Sequence, residues 1–227
     1  MIPAHDEAPR VGPVVRGALQ ALPVVVVDDG SGDETADVAR RAGATVLVQR
    51  PNQGKGAALR AGFRYALELG AEAVVTLDAD GQHDPAEIPS LLAARLAGGD
   101  GDDASAAELV IGQRRFAEMP PVRRLSNSIG TVALSAALGH WVPDNQSGYR
   151  VIGRRLMRAM LASRDDGFAF EVEMIAVCLR EGWPIAWAPI RTIYGEERSH
   201  IRPLRHLREF LAVTARARRI RRGEPLG

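Results

Sequence analysis

Two carboxylates one residue apart, Asp78 and Asp80, follow the apolar run Ala73-Val74-Val75-Thr76-Leu77 and open the segment Asp78-Ala79-Asp80-Gly81-Gln82-His83. Residues two apart share a face of a strand, so the pair converges at the strand's end. Hard divalent cations take oxygen ligands and share them with substrate phosphates, so the chemistry suggested is metal-assisted handling of a phosphate compound. An EF-hand loop starting at Asp78 would need Gly at its sixth place and Glu at its twelfth, and these hold His83 and Pro89. A zinc site would want a histidine cluster, and His83 has no histidine near it in sequence. A phosphohydrolase with Asp78 as nucleophile also opens on Asp-x-Asp-Gly and stays an alternative, although Gln82 stands where it would carry Thr or Ser.

Four further constellations accompany this pair. Asp28-Asp29-Gly30-Ser31 closes another apolar run, Val24 to Val27; its carboxylates can accept hydrogen bonds from a base or ribose, or cap the next helix. Asn52-Gln53-Gly54-Lys55-Gly56 opens a helical pattern, where free N–H groups and the positive dipole end favour an anion. It is neither a Walker loop nor a dinucleotide fingerprint, since Leu59 holds the place of the third glycine. Arg114, Arg123 and Arg124 follow a third run, Glu108 to Gly112, and guanidinium forks suit phosphate. Asp144-Asn145-Gln146-Ser147-Gly148-Tyr149-Arg150 is a dense polar turn that reads as a second active-site loop or a capped turn.

The elements needed to hold these groups are legible. Val24–Val27, Thr45–Val48, Ala73–Leu77 and Glu108–Gly112 are short apolar runs without alternation, as strands covered on both faces require. Met1-Ile2-Pro3 reads as the end of a further strand. Helices are expected over 33–42, 54–69, 85–96, 123–138, 154–161, 170–180 and 202–220, with Ser31 or Asp33 capping the first and Gly70 stopping the second. Segment 97–107 reads as a loose acidic loop. The alternation argues for an α/β fold whose ligand crevice lies at the strand ends.

Composition narrows the partners. The chain has 227 residues, 46% hydrophobic and 25% charged, which excludes a disordered or collagen-like chain. Its longest apolar stretch, Ala21 to Val27, is far short of the about 20 residues a membrane-spanning helix needs. One cysteine, Cys178, excludes an internal disulfide framework. Net charge is +1, yet Arg198 to Arg222 holds nine arginines against one acid, Glu209, so the remainder carries −7. A basic helix ending the chain suits an anionic partner: phosphate, lipid head group or nucleic acid. Its apolar positions Leu204, Leu207, Phe210, Leu211 and Val213 form a stripe that either faces a membrane or packs on the domain.

Ile2-Pro3-Ala4-His5-Asp6-Glu7, Val27-Asp28-Asp29-Gly30-Ser31, Asn52-Gln53-Gly54-Lys55-Gly56, Asp78-Ala79-Asp80-Gly81-Gln82-His83 and Asp144-Asn145-Gln146-Ser147-Gly148-Tyr149-Arg150 occur in an order that resembles a family 2 glycosyltransferase of GT-A fold. Within that family the chain is similar to the dolichyl- or polyprenyl-phosphate mannosyl- and glucosyltransferases. The resemblance implies a GT-A catalytic domain over 1–205, with a mostly parallel sheet between helices, and a basic amphipathic helix and tail over 206–227. It implies transfer of mannose or glucose, with inversion, from GDP-mannose or UDP-glucose to a polyprenyl phosphate, with Mg2+ or Mn2+ as cofactor. Pro3, Ala4, Glu7, Asp28, Asp29, Lys55 and Asp78 fall where the family holds the nucleotide sugar, and Asp80 and Gln82 where it holds the metal. Arg114, Arg124 and Ser128 fall where the branch binds the acceptor phosphate; Arg123 and Asn127 are the equally good offset. Asp78, Asp80, Arg114 and Asp144 are the candidate catalytic residues. A phosphate acceptor is already an anion and needs no general base; a sugar hydroxyl would need one, and Asp144 could serve. The chain departs from the family in carrying His5-Asp6 where Tyr-Asn is usual. The expected place is the cytoplasm, at the membrane face, with no nucleic acid as partner; a binding module using the arginine tail is the non-enzyme alternative.

Overall fold

A computed structural model of the chain describes residues 1–98, 106–115, 121–167, 169–191, 193 and 203–226, and of residues 121–123, 125–126 and 203–209 only the backbone course. Most of the expected acidic loop, the segment Arg198 to Arg202, the Arg123 side chain and the apolar positions Leu204 and Leu207 therefore lie outside the described part.

Strands β1 (Ile2–Ala4), β2 (Val25–Asp29) and β3 (Thr45–Gln49) pair in parallel, with Ile2 opposite Val26 and Val26 opposite Val46. Strands β4 (Ala73–Thr76), β5 (Leu109–Arg114), β6 (Arg150–Gly153) and β7 (Ile185–Ile190) form a second set in the order β4-β6-β5-β7. Strand β6 is antiparallel to both its neighbours, while β5 and β7 are parallel. Met1 stitches the two sets, its nitrogen donating to the Val75 carbonyl at 2.7 Å and its carbonyl accepting from Leu77 at 3.3 Å. Hydrogen bonding thus runs continuously through β3-β2-β1-β4-β6-β5-β7.

Two apolar cores cover the faces of this sheet. One joins α1 (Ala8–Ala18), α2 (Thr35–Arg41) and α4 (Ile88–Ala97) to it through Val11, Val15, Ala39, Ile88 and Leu91. The other gathers α3 (Lys55–Glu68), α5 (Pro121–Leu138), α6 (Arg154–Met160), α7 (Ala169–Glu181) and α8 (Pro203–Arg221) around Phe63, Leu134, Met157, Ile175 and Ile220. Burial from both sides is why β2 and β4 read as unbroken apolar runs.

Three elements differ from the sequence expectation. Pro9, Gly12, Pro13 and Gly17 argue against helix α1; it forms because Pro9 stands in the first turn, where proline is tolerated, and because the buried face of Val11, Val14, Val15 and Ala18 outweighs the cost of Pro13 inside the helix. Strand β6 hides in the polar motif, since its first residue is a fully buried arginine. Strand β7 carries Pro189, a residue that sheets accept at an edge, and β7 is an edge strand. Helix α8 packs on the domain through its second half: Ala217 and Ile220 are buried, Phe210 and Val213 sit against the second core, and Arg216 pairs with the buried Glu173 of α7.

Candidate active site: a carboxylate-lined cleft at the strand ends

The C-terminal ends of β1, β2 and β4 meet the start of α3 around a cleft of about 320 Å³. Pro3 and Ala4 of β1 line it with His5 and Glu7 just after, Asp29 comes from β2, Lys55 and Ala58 from α3 with Asn52 and Gly54 just before, and Asp78, Ala79 and Asp80 follow β4. An open α/β sheet is expected to bind its ligand in such a place. Of the candidate nucleotide residues, Asp28 alone does not line the cleft. It is buried, and its Oδ1 accepts from the Ser31 amide at 3.3 Å and from the Ser31 hydroxyl, fixing the turn instead.

Asp29 has a dual position. Its two oxygens accept from the amides of Gln53 at 2.8 Å and Gly54 at 2.7 Å, so the carboxylate holds the loop before α3 while bordering the cleft. The amide of Gly56 donates to the Asp166 carbonyl at 2.9 Å. These N–H groups, which the sequence suggested for an anion, are thus already engaged by the protein. The glycines have a steric reason as well. A Cβ on Gly54, which has φ +93°, would lie 2.3 Å from the Asp166 carbonyl oxygen, and one on Gly56 2.4 Å from that of Asp165.

Lys55 is the electrostatic centre. Its Nζ lies 2.7 Å from Asp78 Oδ1 and 3.2 Å from Oε1 of Glu171, a residue of α7 that is almost fully buried. Burial alone would lower the lysine pKa, but the carboxylates of Glu171 and Asp78 outweigh it and hold the value well above the ordinary one. Burial pushes Asp78 upward, and Lys55 with His83 more than reverses this, so Asp78 stays ionised below the usual range. His83 accepts the Asp78 amide at its Nδ1, 3.4 Å away; burial, opposed by Asp78 and Asp80, keeps its pKa below the ordinary value. It is therefore a neutral ring turned toward the backbone at pH 7.

Asp80 borders the cleft, and its Oδ1 accepts the Gln82 amide at 2.9 Å. Among the described residues, no group of three or more His, Cys, Asp or Glu could hold a metal by itself. One or two carboxylates beside a phosphate site is the donor set that Mg2+ or Mn2+ accepts, since such ions complete their shell with substrate oxygens and water. Asp80 on the cleft wall, with the Gln82 side-chain amide two residues on, is chemically compatible with that set.

The remaining candidates, Gln82 among them, do not line this cleft. Asp144 is fully buried and clamped by Arg114, with Nε to Oδ2 at 2.7 Å, Nη2 to Oδ1 at 2.9 Å and the Arg114 amide to Oδ2 at 3.2 Å. The Gln146 amide adds a fourth bond at 3.1 Å. This arrangement makes Asp144 a support for Arg114 and its own loop, not an exposed proton acceptor. Arg124 is exposed and Ser128 half-buried on α5, one turn apart and so on one face.

Two site-building residues were not singled out from the sequence. Glu171 lies in a stretch that reads only as a buried helix. Arg150 belongs to a named motif but carried no role. Its fully buried guanidinium donates to three carbonyls: Ser147 at 2.8 Å, Glu171 at 2.6 Å and Asn145 at 3.1 Å. It ties the polar turn to the first turn of α7, and no spacing rule announces such a bond.

Comparison with known proteins agrees with this geometry. The model of glycosyl transferase family 2 matches residues 1–161. The chain is 34% identical over 212 residues to undecaprenyl-phosphate mannosyltransferase of Micrococcus luteus, covering 86% of this chain and 83% of that one. It is 26% identical over 217 residues to UDP-N-acetylglucosamine–dolichyl-phosphate N-acetylglucosaminyltransferase of Methanococcus voltae, covering 86% and 85%. Among solved structures, glucosyl-3-phosphoglycerate synthase of Mycobacterium tuberculosis in complex with Mg2+ and UDP superposes with a TM-score of 0.70 at 23% identity, covering 95% of this chain and 77% of that one. The phosphohydrolase and binding-module alternatives fall away: the chain is an enzyme of glycosyl transferase family 2, with the GT-A fold of sugar-nucleotide transferases.

Proposed function

We propose that this glycosyltransferase moves a hexose, mannose or glucose, from a nucleotide-diphosphate sugar to a polyprenyl phosphate, with inversion at the anomeric carbon. The observation that carries the reading is the state of Asp144: fully buried and held by four N–H donors, it is ill placed to take a proton. A phosphate monoester is already anionic near neutral pH and attacks without a base. The similarity to transferases named for undecaprenyl-phosphate and dolichyl-phosphate supports the same acceptor class.

In this reading the donor nucleotide lies in the cleft against Pro3, Ala4, Glu7 and Asp29, with Lys55 and Asp78 beside its diphosphate. Asp80 and Gln82 would hold Mg2+ or Mn2+, which would neutralise charge developing on the leaving nucleoside diphosphate. Arg114, oriented by Asp144, and the Arg124–Ser128 face of α5 receive the acceptor phosphate and align it for in-line attack. The basic surface of α8 rests on anionic head groups at the cytoplasmic face, each arginine near the surface contributing about 1 kcal/mol. Among the described residues no helix is long and apolar enough to cross a membrane.

The test is calorimetric titration of GDP-mannose, UDP-glucose and UDP-N-acetylglucosamine, with and without Mn2+, followed by transfer to a polyprenyl phosphate. One donor is expected to bind in a metal-dependent way, and Asp80→Ala to weaken it on the order of 100-fold. A folded wild type that binds none of the three sinks the reading.

A further inference from the structure

Lys55 is the only lysine in a chain with 28 arginines, and its surroundings call for an ammonium group. A lysine Nζ has three N–H bonds in tetrahedral directions, whereas a guanidinium presents a flat fork. Here one direction is taken by Asp78 Oδ1 at 2.7 Å and another by Glu171 Oε1 at 3.2 Å, while Lys55 itself lines the cleft. The two carboxylates differ in setting. The Asp78 side chain is 28% exposed on the cleft wall and that of Glu171 only 5%, beneath it. An anion entering the cleft competes with Asp78 for the lysine, not with Glu171. The backbone of Glu171 is held in place, because Arg150 donates to its carbonyl at 2.6 Å.

We infer that Glu171 is a positioning residue: its buried carboxylate anchors the Lys55 ammonium so that the contact with Asp78 can be exchanged for one with the donor's diphosphate. This rests on the donor site proposed above. Asp78 is the exchangeable partner and Glu171 the permanent one. With Glu171 gone, Lys55 keeps Asp78 alone, the shortest ion pair it has, and the ammonium settles on the cleft wall instead of facing the anion. What Glu171 supplies is an acceptor oxygen at a fixed place, so a glutamine can replace it and an alanine cannot.

The experiment measures affinity for UDP and GDP with Mn2+ in wild type, Glu171→Gln, Glu171→Ala, Lys55→Met and the double variant Lys55→Met/Glu171→Ala, with melting temperatures alongside. Glu171→Ala should lose about tenfold in affinity for whichever nucleotide the wild type binds. Glu171→Gln should recover most of it, and the double variant should bind no more weakly than Lys55→Met alone. Equal binding by Glu171→Ala and wild type overturns the inference, as do losses that multiply in the double variant or a glutamine as poor as alanine. A second readout needs no nucleotide and serves if Glu171→Ala does not fold. In lysine-15N-labelled protein the single Nζ resonance should shift in Glu171→Gln, and an unmoved resonance overturns the anchoring. A wild type that binds neither nucleotide, with the resonance shifting as expected, overturns the donor reading and leaves the ion pair standing.

Discussion

Residues in this site work in pairs, and the pairing decides what each substitution does. Asp29 shows it most simply. Two oxygens receive two amides, those of Gln53 and Gly54, and the residue is 4% exposed. Asp29→Asn keeps one acceptor oxygen but turns an NH2 group toward an N–H. Charge-assisted bonds to backbone amides are worth about 1.5–3 kcal/mol, so urea unfolding should show Asp29→Asn less stable by about 2 kcal/mol. A variant as stable as wild type would mean that the loop before α3 does not depend on this clamp. Asp78, Asp80, Asp29 and Lys55 were legible in the sequence because each sits just after an apolar run or at the opening of a helix. Glu171 was not, because the residue it meets lies more than a hundred positions away and its own helix shows only burial. The setting of Asp144 is hidden for a related reason: sequence reveals that a carboxylate is present, but not that an arginine thirty residues away holds both its oxygens.

At the scale of elements, α3 and the turn before α7 behave as one unit. Gly56 accepts the Asp165–Asp166 backbone at a distance that leaves no room for a methyl group, and its amide bonds to the Asp166 carbonyl. Arg60 reaches the same turn, donating to the Asp165 carbonyl at 2.6 Å and pairing with Asp166. Gly56→Ala has no unfavourable backbone angle to adopt, so its cost is purely steric, about 1–3 kcal/mol. It should lower the melting temperature and speed proteolytic nicking around residues 163–167; unchanged nicking would show that the turn yields freely. Helix α8 is held in a comparable way. Arg216 pairs with Glu173, a carboxylate 1% exposed that also accepts the Ser163 hydroxyl at 2.6 Å. Arg216→Met strands that charge. Since Arg216 is partly exposed, the cost is about 2–3 kcal/mol, less than for a fully buried pair. Adding Glu173→Leu should return most of the stability, because an apolar pair of similar volume has no charge to desolvate. A double variant no better than Arg216→Met would show that α8 is held by something other than this pair. The helices over α3, α6, α7 and α8 were readable from apolar spacing and stop signals. Helix α1 and strands β6 and β7 were not, because proline, glycine and a buried arginine occupy positions where local propensity points elsewhere and tertiary burial overrides it.

At the scale of the whole molecule, the described residues form two strand sets joined through Met1, with an apolar core on each face. The class of fold was legible from strands ending in acids and glycine. The strand order was not: nothing in a short apolar run says that β6 enters antiparallel between β4 and β5, and that insertion is what brings Arg150 and its loop beneath the cleft. Cys178 reports on the integrity of the second core. It is fully buried on α7, and burial, reinforced by Glu108 and only partly offset by Arg150 and Arg155, pushes its thiol far above the ordinary value. In the unfolded chain the thiol ionises near pH 8.5, while in the folded chain it keeps its proton. The folded state therefore binds more protons above that pH. The contribution to stability is complete below pH 8.5 and falls by about 1.4 kcal/mol per pH unit above it. Tyr149 and Lys55 also have raised values in the fold, but their unfolded values lie near 10 or above, so between pH 9 and 10 the thiol is the group that responds most. Wild type should lose stability over that interval more steeply than Cys178→Ala, whatever the fixed cost of the smaller side chain. Since the same burial keeps the thiolate from forming, alkylation by iodoacetamide should proceed only as fast as the protein opens. Rapid labelling of folded protein at pH 8 would show that this core opens without global unfolding, and parallel pH profiles for the two proteins would show that the thiol titrates in the fold as it does in the unfolded chain.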